Sequence, residues 1–190
     1  MTERISDAHI LTVGDEAPDF ELKNIEGNTV RLSETWAFKP VVLVMLRHLG
    51  CIFCREQVAR LRKDFDRFNS AGAKIVCVAQ GDYQTGKAFS ILFELPFEVL
   101  LCGDNLAIYQ AYGLHRGNLG QLFGFKSMTR GIAAALKGAR QGRVIGDGFQ
   151  MAGTFIVNPD GKLRLVHRHA DASDNIDNNI LLDELARTGA

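Results

Sequence analysis

The 190-residue chain predicts an α/β fold, a largely parallel sheet with helices on both faces. Three observations carry that expectation. Residues 41–46 (Val-Val-Leu-Val-Met-Leu) and 75–79 (Ile-Val-Cys-Val-Ala) are apolar without alternation, as in strands buried on both sides. Between them Val58, Leu61, Phe65 and Phe68 recur at helical spacing, interleaved with Arg60, Arg62, Lys63, Asp64 and Arg67. A helical stretch at 85–94, ended by Pro96, then leads into a third strand at 97–101. Strand, helix, strand, helix, strand is the pattern of right-handed parallel crossovers.

The flanking elements follow in order. Asp19-Phe20-Glu21-Leu22 and Thr29-Val30-Arg31-Leu32 alternate in polarity around Asn24-Ile25-Glu26-Gly27-Asn28, which reads as an N-terminal hairpin. Gly72 marks the end of the first long helix. A short helix is expected over 105–112. Residues 114–150 then interrupt the rhythm as a Gly-rich insertion with one helical stretch near 128–140. Residues 105–146 hold six Lys or Arg and no Asp or Glu. A basic stretch at 114–143 reads first as a solvated helical face and second as a recruiter of anionic ligands. Strands at 154–157 and 163–169 flank the turn Asn158-Pro159-Asp160-Gly161. Ile176, Ile180, Leu181 and Leu185 mark a final amphipathic helix. The chain is read as one domain, 1–190, with its core at about 13–187.

Composition narrows the function classes. Apolar residues make up 46% and charged residues 23%, values of a folded globular chain. Acids and bases balance at 22 each, so no net field favours nucleic acid or membrane. No apolar core of a secretory signal is visible in residues 1–13, and the run 41–46 is too short to span a bilayer. A cytoplasmic location is expected. Four cysteines, Cys51, Cys54, Cys77 and Cys102, are too few for a disulfide scaffold.

The chemistry concentrates in Gly50-Cys51-Ile52-Phe53-Cys54-Arg55-Glu56, where a buried strand hands over to a helix. First-turn N–H groups and the helix dipole stabilise an anion there and lower a thiol pKa. Positions i and i+3 share a helical face, so the two sulfurs can reach bonding distance. The carboxyl end of a parallel strand is also where α/β sheets place their sites. Cys51, nearer the helix start, is the candidate nucleophile, and Cys54 the resolving thiol. Arg47, His48 and Arg55 are candidates to add positive charge beside the thiolate. The competing reading is half a zinc site, completed by His48 and by His167 or His169, but the chain has no second CxxC and no HxxxH. Cys77 reads as a small buried hydrophobe. Cys102 reads the same way, with a distal resolving role as the alternative. His167 and His169 read as packed or edge residues.

The segment Val13-Gly14-Asp15-Glu16-Ala17-Pro18-Asp19-Phe20-Glu21-Leu22 resembles the opening of peroxiredoxins. The segment from Arg47 to Glu56 is similar to the CxxC-bearing, peroxiredoxin-like members of the alkyl hydroperoxide reductase / thiol-specific antioxidant (AhpC/TSA) superfamily. Asp104-Asn105-Leu106, Tyr109-Gln110-Ala111-Tyr112-Gly113-Leu114 and Gly153-Thr154-Phe155-Ile156-Val157 continue the resemblance in order. It implies a thioredoxin-like three-layer α/β/α sandwich, with an N-terminal hairpin and a helical insertion before the last hairpin. It also implies a Cys51/Cys54 dithiol–disulfide cycle that reduces peroxides or disulfides. No cofactor or metal is needed, electrons come from a thioredoxin- or glutathione-type thiol donor, and a homodimer is left open. A non-enzymatic redox sensor is the alternative use of the same pair, and a metal-binding module a further one. Two positions depart from the family pattern. Peroxiredoxins carry Thr three residues before the attacking Cys, where this chain has His48. They carry Arg two residues before the Thr of the late strand, where this chain has Ala152. Slow peroxide reduction is therefore expected.

Overall fold

The structure, a computed structural model, describes residues 10–118, 120–121 and 142–187. Among these residues one mixed sheet has seven strands. They are β1 (Glu21–Lys23), β2 (Thr29–Arg31), β3 (Val41–Met45), β4 (Lys74–Ala79), β5 (Glu98–Leu101), β6 (Gly153–Val157) and β7 (Leu163–Arg168). Their order is β2-β1-β5-β4-β3-β6-β7. β3, β4 and β5 are parallel; β6 joins β3 antiparallel, and β7 joins β6. The N-terminal hairpin pairs Leu22 with Val30 and adds to the β5 edge through Lys23 and Leu101.

The unbroken apolar runs have a direct cause. In a strand successive side chains face opposite sides. Val42 and Val44 enter one core, and Leu43 and Met45 enter the other. Cys77 belongs to the first core and is fully buried. Helices α2 (Ile52–Lys63), α3 (Phe65–Ser70), α4 (Tyr83–Phe93) and α6 (Asn178–Ala186) cover that first face. Helices α1 (Leu32–Trp36) and α5 (Ala107–Ala111) cover the second. The three layers and both hairpins match the expected architecture.

One element differs. The single helix expected through Phe68 breaks at Asp64, whose φ of −97° and ψ of 11° leave the helical range. Asp64 accepts a hydrogen bond from Asn178 Nδ2 at 2.8 Å and one from Arg67 at 3.2 Å. The break is thus pinned by α6, more than a hundred residues away in sequence. It lets Phe68 reach the core, fully buried. The helical stretch near 128–140 lies outside the described residues.

The core should behave as a tightly packed one. Leu61 is fully buried, whereas Ile180, assigned to the apolar stripe of α6, is 53% exposed. Leu61→Ala is expected to cost ~2–5 kcal/mol, and Ile180→Ala at most ~0.5 kcal/mol. Urea unfolding midpoints of the two variants check this; equal midpoints would contradict the packing described.

Candidate functional site

β3 continues past its last residue, because the Leu46 N–H donates to the Val78 carbonyl at 2.8 Å. The buried Tyr109 hydroxyl donates to the Leu46 carbonyl at 2.6 Å and holds this strand end. The chain then turns through Arg47, His48, Leu49 and Gly50. The Cys51 N–H closes the turn on the His48 carbonyl at 3.1 Å, and Cys51 becomes the N-cap of α2. The CxxC therefore lies at the carboxyl end of a central strand.

Cys51 and Cys54 are each only 2% exposed. The Cys51 thiol is held below its ordinary value. The chief cause is donation from the Cys54 thiol, followed by the Arg47 charge and the backbone N–H groups of Cys54 and Phe53; burial opposes them. Arg47 Nη1 lies 3.5 Å from the Cys51 sulfur. Cys54 is displaced the opposite way, upward, because it is the donor to Cys51 and is fully buried. The pair thus divides into one thiolate former and one thiol that keeps its proton.

Arg47 is 7% exposed, which sets it apart from the solvated charges usual at helix ends. Its Nε donates to the Gln150 carbonyl at 3.1 Å and its Nη2 to the Gly148 carbonyl. Gln80, directly after β4, donates through Nε2 to the Arg47 carbonyl. Its Oε1 accepts the Asp147 N–H at 2.6 Å. Asp147 in turn pairs with Arg116 Nε at 2.6 Å. Residues 142–150 therefore lie as a strap across the Cys51 turn. Gly142 N–H donates to the Gly50 carbonyl at 2.8 Å. A Cβ on Gly50 would stand 1.9 Å from the Arg143 carbonyl oxygen. Gly146 has φ +76°, and a Cβ there would meet Gln80 Oε1 at 2.2 Å. Gln80, Gln150 and Gly146 were not among the residues singled out from sequence. Gln80 alone carries a local signal, a polar residue where an apolar strand meets the edge used by α/β sites.

One expectation needs correction. His48 is 3% exposed, and its Nδ1 has no hydrogen-bond partner among the described residues. Burial, then the charges of Arg47 and Arg55, push it down to about 4, so at neutral pH it is uncharged and adds no positive charge beside Cys51. Arg55 Nε donates to the Leu49 carbonyl in the same turn at 3.1 Å, and its guanidinium stands 5.7 Å above the Phe93 ring. Arg47 is the guanidinium seen in contact with the Cys51 sulfur among the described residues.

The remaining candidates are dispersed. Burial pushes Cys77 up to about 12 and Cys102, half-buried at the end of β5, up to about 11. His167 Nε2 lies 3.0 Å from the Asp174 carbonyl oxygen. His169 is buried just past β7, 5.2 Å from the His167 ring, and neither ring nitrogen has a partner among the described residues. Burial first, and then His167 and Arg47, push it down to about 4, against the opposing charges of Asp174 and Asp171. Ala152 is buried immediately before β6 and accepts the His169 N–H at 3.1 Å. Thr154, opposite Val44 in the sheet, accepts from Gln57 Nε2 at 3.1 Å. Among the described residues no three or more His, Cys, Asp or Glu side chains gather as a metal-holding group. No described helix is long and apolar enough to cross a membrane.

Comparison with known proteins gives the family and the fold. The AhpC/TSA family matches residues 13–166. Peroxiredoxin Q, chloroplastic, from Triticum aestivum is 31% identical over 111 residues, 58% of this chain and 50% of that protein. The Sedum lineare peroxiredoxin Q is 31% identical over 114 residues, 60% of each. The chain thus spans about half to three-fifths of the length of these relatives. A thioredoxin-like protein AAED1, chloroplastic, from Arabidopsis thaliana is 23% identical over 171 residues, 85% of this chain and 68% of that protein. In fold, the peroxidoxin BcpB from Mycobacterium tuberculosis superposes with a TM-score of 0.69 at 19% identity, covering 95% of this chain and 99% of that one. A peroxiredoxin-like protein from Aquifex aeolicus gives 0.66 at 14% identity, covering 94% and 88%. With a family match over most of its length and this sheet order, the chain belongs to the AhpC/TSA family, as a peroxiredoxin-like protein of thioredoxin-like fold.

Proposed function

We propose that this chain is a two-cysteine thiol oxidoreductase that reduces peroxides. The observation that supports it is the division of the pair: Cys51 at a helix N-cap with Arg47 Nη1 at 3.5 Å, and Cys54 donating to it. The Cys51 thiolate attacks the terminal oxygen of R–O–OH. An S–O bond forms as the O–O bond breaks, and the leaving alkoxide takes a proton from water and departs as alcohol. Cys51 is left as sulfenic acid, and the peroxide has gained two electrons. The Cys54 sulfur then attacks Cys51; the S–S bond forms, the S–O bond breaks, and the Cys54 proton leaves with hydroxide as water. An external dithiol of thioredoxin type, or glutathione, exchanges with the disulfide and restores both thiols. The chain acts in this scheme as a single domain without a bound cofactor.

Charge develops on the oxygen that leaves. Arg47 is the guanidinium placed to stabilise it, and the Gly148 and Gln150 carbonyls fix its plane. His48 stands at the family's Thr position as a neutral imidazole, and Ala152 brings no second guanidinium. Loss of one such donor costs ~10²–10³ in rate. Slow turnover is therefore part of the proposal.

Three outcomes follow. Treatment with one equivalent of hydrogen peroxide should remove two hydrogens from the peptide holding Cys51 and Cys54, read by mass spectrometry. Cys54→Ser should stop at a trappable sulfenic acid, and Cys51→Ser should not react; an equal two-hydrogen loss in Cys51→Ser would sink the scheme. Arg47→Ala should raise the pH midpoint for alkylation of Cys51 and slow its oxidation by ~10²–10³. An unchanged midpoint would remove Arg47 from the site.

The third concerns pH. His48 and His169 both sit near 4 in the folded protein, against 6.5 for an ordinary imidazole. The unfolded chain therefore binds more protons between these values, and stability present above pH 6.5 is lost as pH falls towards 4. Urea midpoints should drop across that window, and His169→Leu should flatten the drop.

A further inference from the structure

His169, just past β7, is 5% exposed, and both of its ring nitrogens are buried without a hydrogen-bond partner among the described residues. The polar groups around it are engaged with one another. His167 stands 5.2 Å away between ring centroids and turns its own Nε2 to the Asp174 carbonyl. Asp174 Oδ2 accepts the Ala170 N–H at 2.9 Å, and Asp171 accepts the Ser173 N–H and hydroxyl. These bonds fix the turn that follows His169. A buried polar group left unpaired costs ~1–3 kcal/mol. One retained in a packed fold calls for a role, and chemistry at a nearby site is a common one.

The sheet carries this ring towards the redox site. β6 and β7 pair Gly153 with Arg168, and on the next rung the His169 N–H donates to the Ala152 carbonyl at 3.1 Å. β3 and β6 pair Met45 with Gly153, so the rung beyond sets Leu46 beside Ala152. Leu46, Ala152 and His169 therefore form one row across three strands, and side chains in a row share a face of the sheet. On that face Leu46 packs in the core that also holds Cys51 and Cys54. The middle residue of the row, Ala152, is a single methyl group and occupies little of the space between its neighbours. Arg47, next after Leu46, reaches across the same row. Its Nε bonds the Gln150 carbonyl, two residues before Ala152, and its Nη1 lies 3.5 Å from the Cys51 sulfur. The Arg47 charge acts on Cys51, Cys54 and His169 alike.

We propose that His169 is a further catalytic residue of the redox site: an imidazole N–H donates a hydrogen bond to the oxygen that leaves as Cys51 attacks the peroxide. This rests on the peroxide-reducing reading above and leaves its bonds unchanged. The S–O bond forms, the O–O bond breaks, and the leaving oxygen takes its proton from water; His169 keeps its own. The imidazole is uncharged at neutral pH, and a neutral imidazole can polarise a substrate oxygen in this way. A charged N–H binds about twice as strongly. One neutral donor thus offsets in part the guanidinium that Ala152 does not bring, and turnover stays slow.

The test compares two reactions of the same thiolate. Oxidation of the reduced protein by hydrogen peroxide is followed by stopped flow, and alkylation by iodoacetamide is followed in parallel. Alkylation expels iodide, which needs no such hydrogen bond. His169→Leu is expected to slow the peroxide reaction by ~10² while the rate and pH midpoint of alkylation stay as in the wild type. His169→Gln or His169→Asn, each of which restores an N–H, should recover at least ~10-fold of that loss. Should His169→Leu not fold, His169→Phe keeps a ring against His167 without an N–H and gives the same readout. Slowing of both reactions together, wild-type peroxide oxidation in the apolar variant, or recovery with neither amide overturns the role of His169 and leaves the redox reading standing. A wild-type Cys51 that iodoacetamide alkylates but hydrogen peroxide does not oxidise overturns the redox reading, and this role with it.

Discussion

The contact between the Arg47 guanidinium and the Cys51 sulfur organises the rest of the site. A guanidinium buried beside a thiol is costly unless its charge is answered and its N–H groups are satisfied. The Cys51 sulfur answers the charge, and the Gly148 and Gln150 carbonyls take two of the N–H donors. Gln80 then ties the Arg47 backbone to the same strap through Asp147. Removing any of these leaves a buried polar group unpaired, so the strap and the thiolate environment form one cooperative unit.

That dependence explains the local glycines. Gly50 and Gly146 occur where a side chain would collide with backbone or with Gln80, because the strap passes within van der Waals range of the turn. It also explains how two adjacent cysteines acquire opposite characters. Cys51 receives the helix N-terminus, the Arg47 charge and the Cys54 proton donor together; at Cys54, one turn on, donation to Cys51 and burial outweigh the opposing pull of Arg47.

Much of the fold could be read from the sequence because its governing interactions are local or periodic. β3 and β4 announce themselves through apolar runs that serve two cores, and the Asn158-Pro159-Asp160-Gly161 turn announces the β6–β7 hairpin. The CxxC was equally plain, since strand, turn and helix follow one another there. What escaped depends on distant partners. The break at Asp64 is held by Asn178, and Arg47 is buried by Gln150, 103 positions away. His48 misled for a related reason. Its sequence neighbours suggest a cation beside a thiolate, whereas two arginines and near-complete burial leave it neutral. Comparison with known proteins settles the family; the roles of these side chains rest on the geometry.

The strap has a consequence for how the proposed cycle is divided. Hydrogen peroxide is two heavy atoms across and needs little room to touch a sulfur that is 2% exposed. A reducing protein must bring its own thiolate in line with the S–S bond, which demands a surface opening many times larger. Oxidation and reduction in the proposed cycle then make different steric demands on one pair of atoms, in a turn that the strap covers at Gly50. In such an arrangement the two half-reactions need not share a rate-limiting event.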